Sequence, residues 1–428
     1  MLASVLLTVA LVAAGCTAPA SDGGSAPPSG ATARPTTTPA TTGPTGGSAE
    51  MPSPTPTTEP SAYEISAPGR ATFLIHGTYP HVRSRCVNHT QPTLTRRFPG
   101  TLHAERADDG TWSLTISIPF EDYLKGIAEV PPSWPTAALE AQAIAARSYA
   151  LASTGWTRDS TTLDNPICST SSCQVYGGIP LDPASDQGRW YRAVRRTRGE
   201  ILVYQGRPAT TFYFSTSNGH TYGNEDVFGG EALPYLRPVT ENDDGASPTS
   251  HWAARIPYRD LSRFLHEAGE WPDGTRITDV ALDGGTVHVT GEGVARSMEL
   301  STFRDAVNTW GPCLEPTRYP PGSLPVTIPS SWLELATTHG SVFVTGRGWG
   351  HGVGMVQWGA YGKAREGWSA SDILASYYGG FRPQSYPEPG VIEVQVADGL
   401  TSLRIRASRP GVVVNLEPIE GTRVAIGP

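Results

Sequence analysis

Between residues 17 and 62 the chain is built from Pro, Thr, Ser, Gly and Ala with almost no large apolar side chain. Such a stretch cannot bury enough surface to offset the entropy of ordering it. It reads as a disordered Pro/Thr/Ser/Gly tether, and the foldable part begins where aromatic and β-branched residues appear, from about Tyr63. The formal charge is -8, and Lys125 and Lys363 are the only lysines. A surface built to neutralise phosphates is therefore not expected, and nucleic acid is set aside as a partner.

Ahead of the tether, Met1 to Cys16 is an apolar run closing on small residues, of signal-peptide length and too short to span a bilayer. Ala13-Ala14-Gly15-Cys16 resembles a bacterial lipobox, which implies cleavage before Cys16 and a diacylglycerol on its sulfur. An ordinary secretory signal with an incidental Cys16 is the alternative. A lipid-anchored tether would let the folded part range several tens of ångströms from the membrane. Setting Cys16 aside leaves Cys86, Cys168, Cys173 and Cys313, an even number in a chain with an export signal. Two disulfides, Cys168 with Cys173 and Cys86 with Cys313, are the economical reading. Zinc is the alternative at Cys168-x4-Cys173, although no His lies within that loop or close to it.

In the foldable part, Ala71 to Ile75, Thr101 to Glu105 and Trp112 to Ile118 read as strands, the last with clean alternation. A short helix is expected over 120–129, stopped by Val130-Pro131-Pro132. Pro135 opens a second helix through Leu151, with a stripe of Leu139, Ala143, Ala146 and Ala150, and with Gln142 and Tyr149 on another face. Ile201 to Tyr204 and Ala209 to Ser215 read as paired strands, the second running into a polar loop. Helices over 258–268 and 302–310 flank strands near 277–282 and 286–290. A strand over 341–345 precedes a stretch dense in glycine, then helices over 356–365 and 369–378. Residues 391–396 and 403–407 are short strands before a polar end. The expected class is α+β, a groove-bearing catalytic body of mixed strands and short helices with two lobes.

The glycine-dense stretch, Gly346 to Gly362, has neither a Gly-Lys-Ser/Thr ending nor a dinucleotide fingerprint. His351 and Gln357 lie there among Trp349, Trp358 and Tyr361, a mixture suited to a sugar polymer with apolar faces and many hydroxyls. Tight structural packing is the competing account. Glu129 carries the sharper argument. At the last turn of a helix and beside Val130 and Pro131, its carboxylate would meet a negative dipole end and lose water, both favouring the protonated form that a general acid needs. A solvated Glu at a helix end is the plain alternative.

Five blocks of sequence resemble the stage II sporulation protein D and amidase-enhancer family. They are Phe-Glu-Asp-Tyr-Leu-Lys-Gly-Ile-Ala-Glu-Val-Pro-Pro-Ser-Trp-Pro at 120–135, Ala-Leu-Glu-Ala-Gln-Ala-Ile-Ala-Ala-Arg-Ser-Tyr-Ala at 138–150, Cys-Gln-Val-Tyr-Gly-Gly at 173–178, the loop 215–221, and 346–362. The resemblance implies lytic transglycosylase activity on peptidoglycan, with Glu129 as the single acid/base. It places Gln142, Arg147, Ser215, Ser217, His220, His351 and Gln357 along the substrate groove or bracing Glu129, with Ser217, His220 and His351 ranked highest. Either His can instead simply hold its loop by a backbone hydrogen bond. Some family members bind zinc using a His just before the second Cys, where this chain has Ser172, so no metal and no cofactor are expected.

The implied organisation is a signal peptide with lipobox over 1–16, a linker over 17–62, a catalytic domain over 63–387 and a small β tail over 388–428. The implied partners are peptidoglycan glycan strands, a cell-wall amidase and, through the lipid anchor, the outer face of the cell membrane. The implied location is extracytoplasmic. The rival from the same resemblance is a non-catalytic wall-binding enhancer of an amidase. A zinc-dependent amidase is the third class.

Overall fold

A computed structural model describes residues 60–79, 93–182, 187–319 and 327–427. The signal, Cys16, most of the tether and Cys86 lie outside the described residues, so the readings placed on them are not addressed by the fold. Within the described residues the fold is α+β.

Alternating side chains make the first sheet. In the strand Trp112–Pro119, Trp112, Leu114, Ile116 and Ile118 are buried while their neighbours are not, the period-2 signature of a strand with one face on a core. It is central in a seven-stranded sheet whose order is Glu417–Pro418, Val413–Val414, Ala62–Ser66, Thr101–Arg106, Trp112–Pro119, Val391–Leu400, Ile167–Cys168. A four-stranded sheet, Arg423–Ile426, Ser402–Ala407, Thr72–Thr78, Thr93–Pro99, is likewise built from both chain ends. The polar end expected after 407 forms three further short strands, because Val412 and Ile426 bury against the same core as the N-terminal strands.

The helix Thr136–Ser153 begins directly after Pro135 and is buried almost all round. Its Leu139, Ala143, Ala146 and Ala150 pack into the core beneath the sheets. The opposite side, Ala141, Ile144 and Ala145, packs into a second core with Val353, Met355, Val356, Ala360 and Tyr377. Small side chains on both sides let the helix serve as a shared wall. A third core belongs to residues 252–344, where helices Tyr258–Glu267 and Leu300–Leu314 cover two three-stranded antiparallel sheets. The Ile277–Asp283 and Thr286–Gly291 pair occurs as the Asp-Gly-Gly turn predicts, with Val294–Glu299 added as a third strand.

Two local expectations are corrected. The helix expected over 120–129 spans only Phe120–Lys125. Gly126 caps its end, at a position where a Cβ would lie 2.3 Å from the Tyr176 ring, and the chain then pairs with a distant segment. Ala128 N–H donates to Val175 O at 2.9 Å and Gly177 N–H to Gly126 O at 2.9 Å. Glu129 is thus on no helix, and a helix dipole does not act on it. The strands expected over 201–204 and 209–215 pair only briefly, Val203–Tyr204 with Arg207–Pro208. Tyr213–Phe214 runs instead parallel to Met355–Val356.

Candidate active site

That parallel pair assembles the site. Its register sets Tyr213 opposite Met355 and Phe214 opposite Val356, and Trp358 N–H donates to Ser215 O at 3.1 Å. Tyr213 and Gln357 are thereby delivered to one place from segments far apart in sequence. Glycine makes the approach possible. A Cβ on Gly354 would lie 2.0 Å from Phe212 O, and Gly354 has a φ of 78°, a conformation open to glycine at little steric cost.

Glu129 is half-buried, and its carboxyl is enclosed by neutral donors. Oε1 accepts the Val175 backbone N–H at 2.6 Å and the Tyr213 hydroxyl at 3.4 Å. The Gln357 side chain also hydrogen-bonds the carboxyl. Loss of water raises the Glu129 pKa from 4.5 to about 7, and these three hydrogen bonds, which favour the charged form, offset it only in part. The expected upward shift is present, but from burial rather than from a helix dipole.

Around this carboxyl the donors are themselves fixed. Tyr123 donates to Gln174 Oε1 at 2.6 Å, and Gln174 Nε2 donates to Ala146 O at 2.9 Å. Burial, together with the Glu129 charge, raises the Tyr123 and Tyr213 hydroxyl pKa values well above the usual range, so both phenols are donors rather than phenolates. Gln357 Nε2 donates to Gln142 Oε1 at 3.4 Å, and both side chains are buried. Gln174, Val175 and Tyr176 follow the turn closed by the Cys168–Cys173 disulfide. With the two sulfurs bonded to each other, the alternative of a zinc bound through two thiolates at this loop is not met.

Of the histidines, His351 accepts the Val353 N–H on Nδ1 at 3.1 Å, and its Nε2 lies 3.0 Å from Tyr213 O. With Nδ1 accepting, Nε2 carries the proton and donates to that carbonyl. Burial lowers its pKa from 6.5 to about 4. It is a neutral brace on the backbone of Tyr213. His220 is exposed, bridges to Thr240 and packs its ring 4.6 Å from Tyr222; none of these contacts reaches Glu129.

Three other candidates have structural partners. Ser217 is buried, and its N–H and hydroxyl both donate to Asp244 Oδ2, at 2.7 and 2.8 Å. Ser215 is half-buried with its hydroxyl 3.1 Å from Thr216 Oγ1. Arg147 is fully buried and forms 3.0 Å ion pairs with both Glu121 and Glu388, so it does not line an open groove. Glu129, Gln142, Gln357 and, through Tyr213, His351 are brought together; Arg147, Ser217 and His220 are not. Tyr213, Val175, Tyr123 and Gln174 were missed as site residues. The signal for Tyr123, Gln174 and Val175 lies in the blocks 120–135 and 173–178, the first of which carries Glu129 itself, whereas Tyr213 lies outside every block, just ahead of the 215–221 loop.

The helix Gln357–Arg365 that presents Gln357 is pinned from behind by Lys363. Its Nζ donates to Glu241 Oε1 and Oε2 at 3.2 Å, to Asp243 Oδ2 at 2.6 Å, and lies 3.1 Å from the Tyr377 hydroxyl. A separate concavity of about 680 Å³ opens against Tyr258–Glu267, lined by Arg259, Arg263, His266 and Arg276 among others. None of the Glu129 constellation lines it.

A family model described as Stage II sporulation protein matches residues 108–204, which include Glu129, Gln142 and Val175. An uncharacterized protein of Brachyspira hyodysenteriae is 33% identical over 61% of this chain and 65% of its own length. The amidase enhancer of Bacillus subtilis is 30% identical over 61% of this chain and 40% of its own. Stage II sporulation protein D of Bacillus amyloliquefaciens is 29% identical over 62% of this chain and 74% of its own. The chain thus spans less than two thirds of the first two of these relatives. The matched residues carry Glu129, the segment that donates to it and the buried helix between them, and it is over this stretch that the chain is similar to the stage II sporulation protein D and amidase-enhancer proteins.

Proposed function

We propose that this chain cleaves the glycosidic bond between N-acetylmuramic acid and N-acetylglucosamine in peptidoglycan as a lytic transglycosylase, with Glu129 as acid and then base. The observation that carries the reading is the surroundings of Glu129. Burial raises its pKa to about 7, and its hydrogen-bond partners are a backbone amide, a phenol and a carboxamide. Hydrolases that admit water work with a second carboxylate at a defined separation; a one-acid route does not need it. Glu129, protonated, gives its proton to the bridging oxygen as the bond from C1 to that oxygen breaks. The carboxylate then takes the proton of the muramoyl 6-hydroxyl as its oxygen bonds to C1, closing a 1,6-anhydro ring. No metal or cofactor enters either transfer.

In this reading residues 63–387 are the catalytic unit, completed by the paired strands of 388–428. It works outside the cytoplasm on a tether over 17–62, anchored by lipid at Cys16. The second reading, favoured by the name of the Bacillus subtilis relative, is a wall-binding enhancer of an amidase without chemistry of its own. The test is mass spectrometry of products from peptide-bearing and peptide-free glycan strands. Wild type should release anhydro-sugar products from at least one substrate, and Glu129→Gln should release none while still binding the strands. Absence of anhydro products from the wild type on both substrates overturns the catalytic reading and leaves the enhancer.

A further inference from the structure

The Glu129 constellation is one end of a continuous run of aromatic rings, and the other end faces solvent. From Ala141 to Leu151 every residue of the long helix is buried except Tyr149. The Tyr149 ring centre is 6.5 Å from that of Tyr213 and 5.9 Å from that of Phe212. Phe212 in turn is 4.8 Å from Phe228. Among the described residues, Phe228 and the adjoining Val227 are two of the large apolar side chains left open, 36% and 39% exposed. His351, already fixed between Tyr213 and Val353, backs the Phe228 ring at 5.2 Å. Beyond Phe228 the chain turns through Gly229 and Gly230, both at positive φ and both with nothing within 4 Å of where a Cβ would be. The tip therefore stands clear of the rest of the chain, with one face of its aromatic anchored and another open.

We propose that Tyr149, Phe212 and Phe228 form a stacking subsite for an N-acetylhexosamine ring flanking the bond that Glu129 addresses. This assignment rests on the glycan-cleaving reading above and adds where the strand is gripped. A pyranose ring presents a face of C–H groups that covers an aromatic ring well, while its hydroxyls stay in water at the rim. Continuity decides the occupant. The rings lead without a break from the acid's own phenol donor to the exposed Phe228, so a polymer threaded past Glu129 meets this ledge with the sugar next along.

The experiment measures binding of peptide-free glycan fragments to the Glu129→Gln protein, in which cleavage is blocked, by titration calorimetry. Adding Phe228→Ala should weaken binding roughly tenfold, and Phe228→Trp should hold it within about threefold, the range that loss or replacement of one stacked ring gives. Leu416→Ala, a change at an 85% exposed apolar residue elsewhere, should have no effect. Equal affinity for the Phe228→Ala and Leu416→Ala proteins, or no measurable binding by the Glu129→Gln parent, overturns the subsite. Failure of the subsite is distinct from failure of the catalytic reading. A wild type that yields anhydro products while Phe228→Ala binds normally sinks only the ledge, whereas a wild type that binds through Phe228 and yields no product sinks only the chemistry.

Discussion

The backbone N–H of Val175 donates to Glu129 Oε1 at 2.6 Å, from a segment that a disulfide at Cys173 holds in place. Because this donor is main chain, only proline in place of Val175 would remove it. Tyr213 approaches the same oxygen with a hydroxyl that can be removed. Both donors stabilise the carboxylate, burial stabilises the acid, and burial prevails.

Tyr213→Phe therefore has a signed effect on the pH–rate profile. Under the proposed mechanism wild-type activity requires protonated Glu129 and should fall about tenfold per pH unit above an apparent pKa of about 7. Deleting the hydroxyl removes a donor to the charged form, so the alkaline limb should move up by roughly half a unit, with kcat reduced by about tenfold or less. Measuring kcat against pH on peptide-free strands checks it. A limb that moves down would mean the hydroxyl does not serve the carboxylate.

Glu129 and His351 should also oppose one another in stability against pH. The folded state keeps a proton on Glu129 that the unfolded chain releases above 4.5, so this contribution is complete below 4.5 and is lost as pH rises through about 7. His351 has its folded pKa lowered from 6.5 to about 4, so its contribution is present above 6.5 and is lost as pH falls through about 4. Between pH 4.5 and 6.5 the two slopes have opposite signs, each up to about 1.4 kcal/mol per pH unit. Glu129→Gln removes the first alone. Its urea midpoint should rise between pH 5 and pH 6.5 more steeply than the wild-type midpoint does, and parallel midpoints in the two proteins would refute the assignment.

Much of the scaffold was legible because its determinants are local. The alternation from Trp112 to Pro119, the Pro135 start of the long helix and the Asp-Gly-Gly turn at 283–285 need only neighbouring residues to act. The helix end at Gly126 was not legible, since beyond it the backbone pairs with Val175 and Gly177, distant in sequence. Nor was the pairing of Tyr213–Phe214 with Met355–Val356, which joins segments separated by the whole of the third core. The site divided along the same line. Glu129 could be named from its motif, but a buried serine or arginine in a matching block reads the same whether it faces substrate or an internal carboxylate. Ser217 meets Asp244, and Arg147 meets Glu121 and Glu388; those partners are chosen by the tertiary fold.

Arg147 shows the consequence most directly. Its guanidinium is fully buried between Glu121 and Glu388, with further hydrogen bonds to Thr197 Oγ1 and to the carbonyls of Val194 and Glu200. Burial, and then the charge of Glu121, raises the pKa of Glu388, while Arg147 opposes the rise. Removing the cation leaves two enclosed carboxylates facing each other, and breaking a buried pair from one side costs about 3–5 kcal/mol. Arg147→Met should therefore lose stability of that order at pH 7. Part should return on lowering the pH from 7 to 5, since the Glu388 pKa is raised and loses the cation that opposes the rise, or at pH 7 on adding Glu388→Gln. In the fraction that folds, affinity for glycan fragments should match the Arg147 parent, because the side chain braces the first helix against the C-terminal strands and meets no substrate. Urea unfolding at the two pH values, paired with calorimetry on folded protein, separates the outcomes: weakened binding at intact stability would return Arg147 to the groove.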